Sequence, residues 1–237
     1  MNDIPSFVTI IFLITVAITF GFVYFGVQGI KKNKTSNASL VVAVFLVVWL
    51  FITGIMALSD FFIEFDAVPP RFLFVLFPPL LAIVLLFSVK TTRERILQIP
   101  ITTLTYLHIV RVPVEIVLWW LAGFSVLPEL MTFEGLNYDI LAGISAPFVA
   151  IFMVGLRSKT EIGAVIWNII GLLLLINIVV HALLSAPFLF QTMAFDQPNI
   201  AVFYFPFIYL PSFIVPVVLF AHLASLAKLL SKHEVLK

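Results

Sequence analysis

Residues 40–59, LVVAVFLVVWLFITGIMALS, carry no charge; they follow a basic gap that ends at Lys34 and run into Asp60. A run of this length matches the roughly 20 residues that an α-helix needs to cross a hydrocarbon core about 30 Å thick. Its flanks give a direction, because lysines and arginines collect in the loops that stay cytoplasmic. The same pattern extends both ways. Uncharged or nearly uncharged runs also cover residues 5–30, 72–89, 101–123, 140–156, 162–185 and 203–227, so seven spans are expected. Alternate gaps are basic: Lys31, Lys32 and Lys34; Lys90, Arg93 and Arg95; Arg157 and Lys159; and the tail with Lys228, Lys232 and Lys237. The N-terminus and the other gaps hold Asp3, Asp60, Glu64, Asp66, Glu129, Glu134, Asp139 and Asp196, with Arg71 as their one basic residue. The pattern predicts an N-terminus outside and a C-terminus in the cytoplasm. The expected fold is all-α, a single seven-helix transmembrane domain over residues 1–237.

Composition agrees: of 237 residues 62% are hydrophobic, 11% are charged and 26 are Phe, far from soluble averages. The longest stretches between spans, 125–138 and 186–204, are each too short to bury a core alone, so any site is expected inside the bundle or at its mouths. A net charge of +1 whose cations follow membrane orientation gives no sign of a nucleic-acid partner; the expected partner is the lipid bilayer. With no cysteine, disulfides, thiolate metal sites and thiol nucleophiles are excluded. The first span follows Asn2 and Asp3 instead of a basic segment, and reads as a retained helix. Two glycosylation-type triplets, at Asn33 and Asn37, fall in a gap expected to be cytoplasmic and are expected to be silent.

Sliding the first three spans onto the last three suggests a duplication. Phe22-Val23 through Gly29-Ile30-Lys31 aligns with Phe148-Val149 through Gly155-Leu156-Arg157, and Phe72, Phe74, Pro78, Val84, Leu86 and Phe87 align with Phe205, Phe207, Pro211, Val217, Leu219 and Phe220. The second span aligns poorly with the sixth, and Phe-rich and Leu-rich runs also match by chance. A true repeat has halves 5–97 and 138–230 around a linker helix at 101–123, the parallel arrangement of some transporters.

This three-one-three layout resembles SWEET-type sugar facilitators and PQ-loop transporters, and as topology also microbial rhodopsins. No Pro is followed by Gln, so the PQ-loop signature is missing, and the first lysine of the seventh span is Lys228 at its cytoplasmic end, which argues against covalent retinal. Asn137-Tyr138-Asp139 with Ala146-Pro147, then Trp167-Asn168 with Gly171, then Phe205-Pro206 with Pro211 and Pro216 before His222, is similar to a group of uncharacterised bacterial seven-transmembrane proteins. That resemblance implies the bacterial inner membrane and no particular activity.

The fourth span carries the chemistry. His108, Arg111 and Glu115 are spaced three and four apart, on one stripe that Trp119 continues. An ionised group at mid-membrane costs at least about 2.5–3.5 kcal/mol, so such groups face the bundle interior, pair, or line a wet cavity. Arg111 and Glu115 are expected to pair along the helix, with Pro113 between them freeing the carbonyl of Ile109 and kinking the span. Counted from the cytoplasmic ends, His108, Asn168 and His222 lie at similar depth and, with Arg111, are candidates to line an inner polar chamber. Asn177 joins Trp119 nearer the outer face, while Asp139 and His181 are expected at the outer mouth, Asp139 as a charge at a helix N-terminus. Each histidine alone reads more readily as a satisfied or solvated side chain than as a ligand; the shared depth of His108 and His222 is what raises that pair. Pro206, Pro211 and Pro216 are expected to bend or loosen the seventh span.

No phosphate loop, zinc helix or serine elbow occurs, and no cofactor is predicted. Ligation of a metal or haem by His108, His222 and Glu115 stays open, since ligands on separate helices need no sequence spacing. The first expectation is a carrier or facilitator of a small polar or anionic solute, with a site on the fourth, sixth and seventh spans, and whether the chain is an enzyme is left open. The alternatives are an intramembrane enzyme or a metal- or haem-binding protein, and a non-catalytic sensor or subunit. Oligomeric state, coupling ion and substrate are not encoded in any motif.

Overall fold

A computed structural model describes residues 4–30, 37–155 and 161–234. Asp3, the basic residues Lys31, Lys32, Lys34, Arg157, Lys159 and Lys237, and the triplet at Asn33 lie outside them. The described residues form helices and loops without a strand: α1 (Ser6–Gln28), α2 (Ala38–Leu58), α3 (Leu73–Ser88), α4 (Lys90–Ile96), α5 (Ile101–Leu107), α6 (Arg111–Gly123), α7 (Ile140–Phe152), α8 (Glu161–Leu184) and α9 (Val215–Glu234). Among the described residues five helical stretches are long and apolar enough to cross a membrane: α1, α2, Ile101–Gly123, α8 and Leu210–Ser231. A sixth is reached if α3 and α4, bent by 96° at Val89, count as one. The run at 140–156 forms only the 13-residue α7, about 20 Å long at 1.5 Å per residue and short of a full hydrocarbon core.

Burial ranks these helices. The Ile101–Gly123 stretch is 56% buried and Leu210–Ser231 is 50% buried, against 17–28% for the other three. The fourth and seventh expected spans therefore form the centre. Around them α1 packs on α2 and α6, α5 on α7 and α9, and α8 on α9. The outward faces of α1, α2 and α8 keep exposed Phe, Ile, Leu and Val, which lipid accommodates and water does not.

Proline shapes both central helices. Pro113 has no amide hydrogen to give Ile109, and the chain just before it tightens into a 3₁₀ turn at His108–Val110 between α5 and α6. In a 3₁₀ turn side chains three apart eclipse, so His108 and Arg111 line up. The seventh expected span begins with a π-helical turn at Leu210–Ile214 that contains Pro211. Pro216 likewise gives the Ser212 carbonyl no helical donor, and the indole Nε1 of Trp49 on α2 supplies one from 2.9 Å.

The loops at the acidic end pack together. Phe65, Phe72, Phe188 and Phe203 form a ring cluster with closest centroids 5.1 Å apart. Gln197 Nε2 donates to the carbonyls of Ala122 (3.0 Å) and Leu127 (2.6 Å), tying one long loop to the end of α6. At the basic end Lys228 donates to the Ile99 carbonyl, joining α9 to the start of α5.

Candidate functional site

Small residues set the site. On α7 the face of Ala142, Gly143, Ala146 and Ala150 is buried, and a Cβ at Gly143 would fall 2.8 Å from Val112 Cγ2 and 3.2 Å from Arg111 Cβ. Such a face lets two backbones approach closely. Asp139, one turn earlier at the N-cap of α7, is thereby brought against Arg111. Arg111 Nε donates to Asp139 Oδ2 at 2.6 Å, and Arg111 Nη2 pairs with Asp139 Oδ1, giving a two-pronged guanidinium–carboxylate contact. Nη2 also donates to the Gly171 carbonyl on α8 (3.1 Å), and Nη1 meets His222 Nε2 on α9 (3.0 Å). One side chain, 2% exposed, thus joins α6 to three other helices.

The partners fix the histidine tautomer. His222 Nδ1 lies 2.9 Å from Asn168 Oδ1, and the amide of Asn168 is oriented by donation from Nδ2 to the Ala164 carbonyl (2.9 Å). Oδ1 only accepts, so His222 carries its proton on Nδ1 and offers the Nε2 lone pair to Arg111. His108 stacks on His222 with ring centroids 3.9 Å apart and 29° between planes, and meets Trp167 edge-on at 5.2 Å. It is fully buried, and among the described residues neither of its ring nitrogens has a hydrogen-bond partner. Trp167 is held by its own bond from Nε1 to Ser145 Oγ (2.8 Å).

Glu115 belongs to a second branch. Both of its oxygens accept from Asn137 Nδ2 at 2.7 Å, and Nδ2 also reaches the Met131 carbonyl at 3.0 Å. The other face of that amide, Oδ1, accepts from the backbone N–H of Asp139 at 3.0 Å, linking the two branches. The expected pair along the helix is not formed: Arg111 turns to Asp139, and among the described residues Glu115 takes part in no ion pair. The reason is geometric, since a guanidinium gains two parallel bonds from a carboxylate on a facing helix and one poorly oriented contact from an acid C-terminal to it on its own. Glu115→Gln therefore strands no cation. It is expected to cost roughly 1 kcal/mol or less, because the Gln carbonyl still accepts from Asn137, whereas an Arg111–Glu115 pair would have made the loss roughly 3 kcal/mol; chemical unfolding in detergent distinguishes the two.

Of the sequence-derived candidates, the structure brings together His108, Arg111, Asn168 and His222, with Glu115 joined through Asn137. Asp139, expected at the outer mouth, is 5% exposed and sits in the centre of the network on Arg111. Trp119 and the α8 pair Asn177 and His181 lie outside it. Trp119 is 40% exposed against Phe133, while Asn177 Nδ2 donates to the Leu136 carbonyl (2.8 Å) and His181 Nδ1 to the Asn177 carbonyl (2.8 Å). Asn137, Trp167 and Gly171 are the residues that reading side-chain charge alone overlooked.

One turn above Glu115 the stripe opens into a cavity of about 380 Å³ lined by Trp119, Trp120, Glu129, Thr132, Glu134 and Gln197. As a metal centre the cluster is a poor fit: stacked rings hold their lone pairs in near-parallel planes, both His222 nitrogens are engaged, and among the described residues no three His, Asp or Glu side chains converge.

An all-helical bundle whose apolar helices suit a membrane, closed around a charged network, defines the class as a helical membrane-type protein. The chain belongs to the family described as a domain of unknown function, DUF8737, whose model matches residues 69–230. No curated protein and no solved structure matches it. The matched stretch contains every residue of the network and leaves out α1 and α2.

Proposed function

We infer that the protein is a seven-span carrier of a small polar or anionic solute in a bacterial inner membrane, with its N-terminus outside. The observation that carries this reading is the buried guanidinium of Arg111, held by a carboxylate from a facing helix. In the closed arrangement the Asp139 carboxylate occupies the position that a solute carboxylate would take. Exchange of one for the other frees α7 from α6, which couples occupancy to helix movement. The cavity at Trp119 lies one helical turn from Glu115 on the same stripe, and the Lys228–Ile99 contact groups two basic gaps, in keeping with the charge rule. On this reading the seven spans are α1, α2, α3 with α4, α5 with α6, α8, α9 and the short α7, which crosses where its neighbours and a locally thinned bilayer accommodate it, and this order also fits the three-one-three repeat.

The test is uptake by proteoliposomes offered a panel of small polar solutes. Wild type is expected to accumulate at least one of them, and Asp139→Asn, which keeps the shape and removes the competing charge, to lower its KM for a carboxylate solute several-fold. Uptake no greater than that of protein-free vesicles across the panel overturns the carrier reading.

A further inference from the structure

We propose that the solute is a zwitterion of the amino-acid class, with a carboxylate that binds Arg111 and an ammonium group that faces Glu115; this rests on the carrier reading above. The network holds one guanidinium and two carboxyl groups, all three nearly fully buried. Arg111 and Asp139 satisfy each other, while among the described residues Glu115 is met by Asn137 and by no cation. Arg111 and Glu115 are four residues apart on α6, about 6 Å along one face. A molecule bearing opposite charges a few bonds apart spans that distance: its carboxylate replaces Asp139 on the guanidinium and its ammonium completes Glu115.

The cavity above selects in the same sense. Trp119 and Trp120 present indole surfaces, which attract cations, and Glu129 and Glu134 line the same space. A simple carboxylate is repelled there, and a simple amine has no group with which to meet Arg111. A zwitterion meets neither obstacle. In the same cluster His108 has two unbonded ring nitrogens, a polar edge available to a further group on the solute.

The experiment uses wild-type proteoliposomes, a panel of α-amino acids with glycine betaine, and the isosteric set β-alanine, propionate and propylamine. At least one zwitterion is expected to be accumulated, and a hundredfold excess of propionate or propylamine is expected to slow it by less than about twofold. Glu115→Gln should raise KM for that zwitterion roughly tenfold with little change in kcat. Should that variant not fold, the surface double variant Glu129→Gln/Glu134→Gln is expected to raise the same KM roughly threefold or more. Uptake of propionate without any zwitterion, or an unchanged KM in the folded variant, overturns the zwitterion assignment and leaves the carrier reading standing. Uptake of none of these compounds overturns the zwitterion assignment, and uptake of none across the wider panel above overturns the carrier reading as well.

Discussion

Arg111→Met is expected to lower unfolding free energy by roughly 3–5 kcal/mol, because it leaves the Asp139 carboxylate buried without its cation and withdraws a donor from both His222 and the Gly171 carbonyl. The double replacement Arg111→Met/Asp139→Leu should recover most of that loss, since a buried ion pair often fails to offset its own desolvation and apolar side chains of similar volume fill the space. Uptake separates the two meanings of the pair. The double variant is expected to unfold near the wild-type midpoint and to transport nothing. A double variant with full uptake would reduce the network to structural glue, and one that stays as unstable as the single variant would show that the His222 and Gly171 contacts, not the ion pair, dominate the cost.

Gly171→Ala should be the next most damaging change. A Cβ there would lie 2.5 Å from His222 Cε1, 2.8 Å from His222 Nε2 and 3.4 Å from Arg111 Nη1. The imidazole cannot yield easily, because His108 stacks on its face and Asn168 holds its other nitrogen. Overpacking of this kind costs about 1–3 kcal/mol, and the displaced ring should lose its bond from Arg111. The expected outcome is a modest fall in melting temperature with loss of uptake, and a histidine ¹⁵N spectrum in which the Nδ1–H tautomer of His222 is no longer the sole form. Wild-type uptake with an unchanged tautomer would remove Gly171 from the site.

Helical class and the centrality of residues 101–123 were legible because an insoluble charge pattern constrains them: His108, Arg111 and Glu115 on one stripe have to face protein. Equal depth was enough to gather His108, Asn168 and His222. The partner of Arg111 is not legible, because Asp139 falls at the end of a span, where charge alone points outward, while the close-packed glycine and alanine face of α7 draws that end inward. Asn137 and Gly171 stood within short stretches noted for resemblance, but an amide or a glycine carries no charge signal, and its role depends on which helix faces it. The brevity of α7 was hidden for a related reason. Hydropathy counts apolar residues, and it does not register where the helix ends at Phe152.

The single guanidinium that joins four helices also imposes an order on biogenesis. Arg111 is made before any of its partners, and the first, Asp139, follows 28 residues later, with Gly171 and His222 later still at 60 and 111. Its segment has the lowest mean hydropathy of the five long helices, 1.4 against 2.1–2.8. During synthesis the segment therefore enters the bilayer as the weakest candidate, carrying an uncompensated cation that costs at least about 2.5–3.5 kcal/mol. It gains a counterion only when α7 arrives. A ribosome-stalling series should show the segment slipping back toward the aqueous side in chains that end before Asp139 and staying inserted in chains long enough to deliver α7, so that one helix is retained only once a later one comes to hold it.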